Sequence, residues 1–151
     1  MQQSTIQTKP RSFTYSTDIV KLGQRVGILS SAGKEEFRVS SPPEFKGEAG
    51  VWTPEDLFVA ALDSCTMMTF LALAARNALT VLDYSSHATG VLESVEGKFR
   101  FTKITLKPSI TLDSIDDMEK AKELLNEAHK NCFIANSIVS EVIVDPFIKV
   151  L

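Results

Sequence analysis

Residues 53–77, TPEDLFVAALDSCTMMTFLALAARN, decide the fold. Thr53 has the hydroxyl of a helix N-cap, Pro54 fits the first helical position, and Asp56, three residues after the cap, completes a capping box. Glu55 and Asp56 place negative charge at the positive end of the helix dipole. From Leu57 to Ala75 the only charged residue is Asp63. A helix that is apolar nearly all round needs cover on nearly all sides. A membrane span is the competing reading, but it would set Asp63 near the bilayer centre at a cost of about 3 kcal/mol. The many small residues, among them Ala60, Ala61, Ser64 and Ala72, also favour close packing. The favoured reading is a helix between a sheet and a second subunit. It implies an obligate homodimer, whose interface resembles a core cut in half.

The text on either side is that of short strands and a second helix. Residues 1–12 have no hydrophobic period and read as an arm. Phe13–Val20, Val26–Ser30 and Glu35–Ser40 read as strands, with turns at Gly23 and residues 30–33. Residues 41–52, with two prolines and two glycines, form a loop. Val81–Ser94 and Lys98–Leu112 read as two long strands joined by a tight turn at residues 95–98. Thr102, Ile104 and Leu106 alternate with Lys103, Thr105 and Lys107, the period of a half-buried strand. A second helix starts at Ile115 behind Ser114 as cap, with the face Met118, Ala121, Leu125 and Ala128. Continuing that face by four residues reaches Cys132. Val139–Leu151 alternates again and closes the chain as a strand. The order βββ-α-ββ-α-β, with hairpins and separated helices, predicts an α+β fold of antiparallel sheets and two long helices. Residues 1–151 read as one domain.

Composition narrows the function. The chain has 151 residues, 44% hydrophobic and 23% charged, as in ordinary globular proteins. Sixteen Lys and Arg against nineteen Asp and Glu give a net charge of −3, which argues against a nucleic acid or an anionic membrane as partner. Two cysteines, with no CxxC motif, do not make a disulfide scaffold. Residues 1–13 lack the apolar core of a signal peptide, so the expected compartment is the cytoplasm. There a cysteine pair is more often chemical than structural.

Taken singly, Cys65 and Cys132 each read as core residues, because free cysteine packs as a small hydrophobe. Taken together, they lie on the buried faces of the two long helices, and their sulfurs could approach if those helices pack. A working thiolate needs stabilisation, and arginine supplies a permanent charge with several donors. Arg25, between Gly23 and Gly27 at a strand entry, is the leading arginine, with Arg38 in reserve and Arg76 and Arg100 further on. His87 and His129 read as surface histidines. No short ligand spacing supports a zinc site, so no metal and no bound cofactor is expected.

At residues 53–65, TPEDLFVAALDSC, the chain resembles the first cysteine segment of the OsmC/Ohr family, the osmotically inducible and organic-hydroperoxide-resistance proteins. Ala128-His129-Lys130-Asn131-Cys132 resembles the second cysteine segment, with Phe133 where the family usually has proline. Residues 99–104, FRFTKI, match the strand between them. The resemblance spans roughly residues 20–150, with the cysteines 67 residues apart.

The resemblance implies an intertwined dimer and a thiol-dependent peroxidase for organic hydroperoxides. Cys65 matches the peroxidatic cysteine and Cys132 the resolving one. Glu55 matches the glutamate that contacts the catalytic arginine, and Arg25 lies where the Ohr-type branch carries that arginine. The family cycle then needs an external dithiol of lipoyl type as reductant. Phe58, Met67, Met68 and Phe70 are the candidates for an apolar substrate pocket. Glu55 and Cys65 are ten residues apart on one helix, a rise of roughly 15 Å, so a Glu55 that serves the Cys65 site is expected to come from the partner subunit. Two other readings compete with this one. One is a non-catalytic dimer of this fold that binds an apolar small molecule or senses redox state. The other is a hot-dog thioesterase, which leaves both cysteines idle.

Overall fold

The computed structural model describes residues 10–151. The expected arm at 1–12 falls mostly outside them. The described residues divide into two compact units, the first ending at Thr53 and the second running from Pro54 to Leu151.

The first unit is a three-stranded antiparallel meander. It comprises β1 (Asp18–Lys21), β2 (Val26–Ser30) and β3 (Phe37–Ser40), in the order β1-β2-β3. The first and third strands are shorter than the sequence suggests, and β2 is the reason. Its last partners are Asp18, opposite Ser30, and Phe37, opposite Leu29. Beyond these the chain turns, so residues 13–17 and 35–36 find no ladder. After β3 the chain makes one 3-10 turn at Pro43–Phe45 and returns beside the strand, where Ser40 N–H donates to Trp52 O at 2.9 Å.

The second unit begins with α1 (Pro54–Arg76) and continues with β4 (Val81–Val95), β5 (Lys98–Leu112), α2 (Met118–Asn131), β6 (Glu141–Val144) and β7 (Phe147–Val150). The β4–β5 hairpin is antiparallel along its 15-residue arms. Its two-residue turn has φ 53° at Glu96 and 80° at Gly97. That pair of positive values marks a type I′ turn, whose twist matches that of the strands. Ser114, extended at φ −137° and ψ 136°, caps the second helix by accepting from Asp116 N–H at 3.2 Å. One 3-10 turn, Ile115–Asp117, then leads into α2.

The α+β class and the two helices stand as read from the sequence. The expected single closing strand is two strands, and both run parallel to β5: β6 beside residues 103–106 and β7 beside 109–112. Pro146 has no N–H to donate and ends the first. Asp145 N–H still reaches Leu106 O at 2.8 Å, keeping the chain on the sheet across the break. Cys132 is not on α2 but is its C-cap, extended at φ −68° and ψ 117°.

Two buried clusters fill this unit. Phe70, Ala74, Ile110, Leu112, Leu125 and Ala128 are prominent in the larger, between α1, the sheet and α2. Leu62, Ile104, Leu106 and Cys132 form the smaller. From α1 only Leu62, Thr66, Phe70 and Ala74 are buried, one stripe at i, i+4 spacing. The helix is long and apolar enough to cross a membrane by length and composition, yet that stripe belongs to a protein core. Its remaining apolar surface includes Met68, 58% exposed.

Candidate thiol site

Packing of α1 against α2 makes a groove of about 550 Å³. One wall is the α1 face with Cys65, Met68, Thr69, Ala72, Leu73 and Arg76. The other carries Glu127 and Asn131 of α2, followed by Phe133. Cys65 is half-buried and opens to this groove, whereas Cys132 is wholly buried behind it. The Cys132 sulfur accepts from Ala135 N–H at 3.4 Å and has Thr66 Oγ1 at 4.0 Å.

Cys65 packs against the buried cluster that contains Cys132, and the environments of the two sulfurs pull their acidities apart. Partial burial alone would push the Cys65 thiol up. Hydrogen bonds from the Cys132 thiol, the Ile134 N–H, the Thr69 hydroxyl and the Phe133 N–H outweigh it and leave the group below the ordinary cysteine value. Burial pushes Cys132 up, and its bond to Cys65 pushes it further. Cys65 is therefore the readier thiolate, and Cys132 the proton-bearing neighbour.

The other sequence candidates are distributed as follows. Glu55 is half-buried in the first turn of α1, with Oε2 shielded from water and without a hydrogen-bond partner. Arg25 and Arg38 belong to the first unit. The Arg25 guanidinium donates to Phe45 O at 3.2 Å, and Arg38 pairs with Glu48 at 2.6 Å. Of the four expected pocket residues, only Met68 lines the groove. Phe70 is fully buried in the larger core cluster, 5.8 Å from Tyr84 between ring centroids. Phe58 stacks on Phe101 at 4.9 Å. Both rings are occupied in packing, and neither lines the groove. Met67 faces a separate cavity. The sequence does not single out Thr69, Ala72, Leu73, Arg76, Glu127 and Asn131 for the groove, although 65, 69, 72 and 76 follow helical spacing on one face.

Met67's cavity measures about 260 Å³ and is also lined by Asp63, Tyr84 and Ser86. Asp63 Oδ1, Tyr84 OH and Ser86 Oγ are shielded there without hydrogen-bond partners. Burial, with the Asp63 charge as a second cause, pushes the Tyr84 phenol up to about 12. In a Tyr15→Phe background, which leaves Tyr84 as the single tyrosine, absorbance titration is expected to place its midpoint there. Asp63→Asn lowers that midpoint but keeps it above the ordinary 10.0, because burial is the larger cause.

A family model described as OsmC-like protein matches residues 47–146. The chain belongs to the OsmC-like family. Among curated relatives, this OsmC-like chain is 28% identical over 120 residues to the uncharacterized protein YmaD of Bacillus subtilis, covering 78% of this chain and 79% of that one. Its fold is similar to that of VCA0330, an OsmC-like protein of unknown function from Vibrio cholerae, with a TM-score of 0.83 at 27% identity. That match covers 89% of this chain and 99% of the other. It also resembles the fold of an organic hydroperoxide resistance protein OsmC from Legionella pneumophila, with a TM-score of 0.72 at 24% identity, covering 93% and 99%.

Proposed function

We propose that this OsmC-like protein is a thiol-dependent peroxidase that reduces organic hydroperoxides. The observation that carries the reading is the packing of Cys65, open to a largely apolar groove, against the cluster that holds the buried Cys132. The Cys65 thiolate attacks the distal peroxide oxygen, the O–O bond breaks, and the alkoxide takes up a proton and leaves as the alcohol. Cys65 is now a sulfenic acid. The Cys132 sulfur displaces its oxygen as water and forms the Cys65–Cys132 disulfide. An external dithiol, of lipoyl type by family resemblance, returns both thiols and is itself oxidised to a disulfide. Met68, Ala72 and Leu73 give an apolar hydroperoxide its contact surface.

Thiol counting tests this. One equivalent of cumene hydroperoxide should remove both free thiols of each chain and release one cumyl alcohol. A dithiol should then restore both. If the thiols survive the peroxide, a non-catalytic binding role replaces this one.

The same proposal places the protein in the cytoplasm as a homodimer. Support for the dimer comes from the unburied apolar surface of α1, unusual for a monomer, and from Glu55 Oε2, buried without a partner. In this reading Glu55 reaches the partner's site and holds Arg25 there by a bidentate pair. Sedimentation at micromolar concentration should give twice the 16.6 kDa chain mass, and a stable monomer would refute the dimer.

A further inference from the structure

Asp63, the single charge between Leu57 and Ala75, takes no part in the thiol groove. It lines the cavity of about 260 Å³ between α1 and β4. Two periodicities bring the residues of that cavity together. Ala60, Asp63, Ser64 and Met67 follow helical spacing on one face of α1. Tyr84 and Ser86, two residues apart on β4, project from the same face of the strand. Asp63 Oδ1, Tyr84 OH and Ser86 Oγ are each shielded from water and bonded to nothing among the described residues. Ser64 does not serve them, because its hydroxyl donates to Ala60 O at 2.7 Å. The Tyr84 ring rests near Phe70, 5.8 Å away between centroids, so packing holds the phenol in place. Three unpaired oxygens around one cavity are unusual, since a buried polar atom without a partner bears the cost of its lost hydration.

We propose that this cavity is a binding site for a small primary amine in its ammonium form. An alkylammonium group carries one positive charge and three N–H donors. The Asp63 carboxylate and the Tyr84 and Ser86 hydroxyls supply three acceptors and one negative charge. None of the residues lining the cavity is basic, so that charge has no counterpart there. The Tyr84 phenol, pushed up to about 12, stays neutral at physiological pH and adds no second charge. Ordered water would fill the hydrogen bonds but leave the carboxylate unbalanced. The volume is also more than an inorganic cation fills, one water molecule taking about 30 Å³ of liquid. Ala60 and Met67 offer a short alkyl chain its apolar contact. The site uses neither cysteine, so it stands or falls apart from the peroxidase reading.

The probe is n-butylammonium chloride, titrated into the full chain by calorimetry at constant ionic strength. One saturable site per chain is expected, with a dissociation constant of about 1 mM for so small a ligand. Tetramethylammonium has the charge without N–H donors, and n-butanol has the chain without the charge. Each should bind about tenfold more weakly or worse, as for loss of a hydrogen-bonded charge. Asp63→Asn keeps the shape of the side chain, removes its charge, and should weaken butylammonium by about tenfold or more. Tetramethylammonium binding as well as butylammonium overturns the proposal, and that comparison needs no variant to fold. An unchanged affinity in folded Asp63→Asn overturns it too. So does the lack of saturable binding at about ten times the expected constant, which would leave the cavity to water alone.

Discussion

Cys65→Ser should abolish the proposed hydroperoxide reduction, and Cys132→Ser should complete one turnover and stop. A serine hydroxyl in the same place is not ionised near neutral pH and does not attack the O–O bond, so the rate should drop to that of the uncatalysed reaction. Cys132→Ser keeps the nucleophile and should release one alcohol per chain. It then holds a sulfenic acid that dimedone traps, because no second sulfur is there to displace the oxygen. In the wild type, the rate of the peroxide step should rise with pH as Cys65 ionises. It should level off below the ordinary cysteine value of 9.0, since hydrogen bonds to the sulfur favour the thiolate. Wild-type turnover in Cys65→Ser would rule out this nucleophile. A midpoint at or above the ordinary value would show that the hydrogen bonds do not lower it.

Phe70→Ala should be among the costliest single changes to stability. Phe70 is 0% exposed and lies in the larger core cluster of the second unit, beside the Tyr84 ring. Truncation removes a whole ring and leaves a cavity walled by side chains of a helix and strands that cannot all collapse. Such changes cost about 3–5 kcal/mol, which in a chain of this length lowers the melting temperature by roughly 6–20 °C. Thermal unfolding followed by circular dichroism measures it. A fall of only a degree or two would show that the site repacks.

Much of the architecture was legible because its signals are local. Thr53-Pro54 and Ser114 announce helix starts through cap chemistry, and Glu96-Gly97 between alternating runs announces a hairpin. The parallel pairing of β6 and β7 with β5 was not legible, since strand direction depends on where α2 returns the chain. Pro146 was the available sign that the last strand is broken. The thiol site was read in part. Cys65 and Cys132 stood out by resemblance and by helical faces, but the buried stripe of α1 did not. A helix apolar all round carries no moment to say which side faces the core, and the stripe includes Thr66. Nothing in the sequence therefore separates Phe70, which faces the core, from Thr69 and Leu73, which face the groove. Glu127 and Asn131, within a turn or so of Cys132, looked like the solvated side of an amphipathic helix, and the groove gave them a place only once α1 and α2 were packed.

In the proposed cycle, the packing of Cys65 against the cluster that holds Cys132 would also govern how the protein endures excess oxidant. In the proposed cycle the sulfenic acid has two fates: condensation with Cys132, or attack on a second peroxide to give an irreversible sulfinic acid. Condensation is intramolecular, with the reacting sulfurs already neighbours, and such proximity corresponds to very high effective concentrations of the partner. The second peroxide must arrive from solution. The protein should therefore be caught as a recoverable disulfide across a wide range of peroxide concentration, and its working lifetime should be set by the supply of reductant rather than by damage.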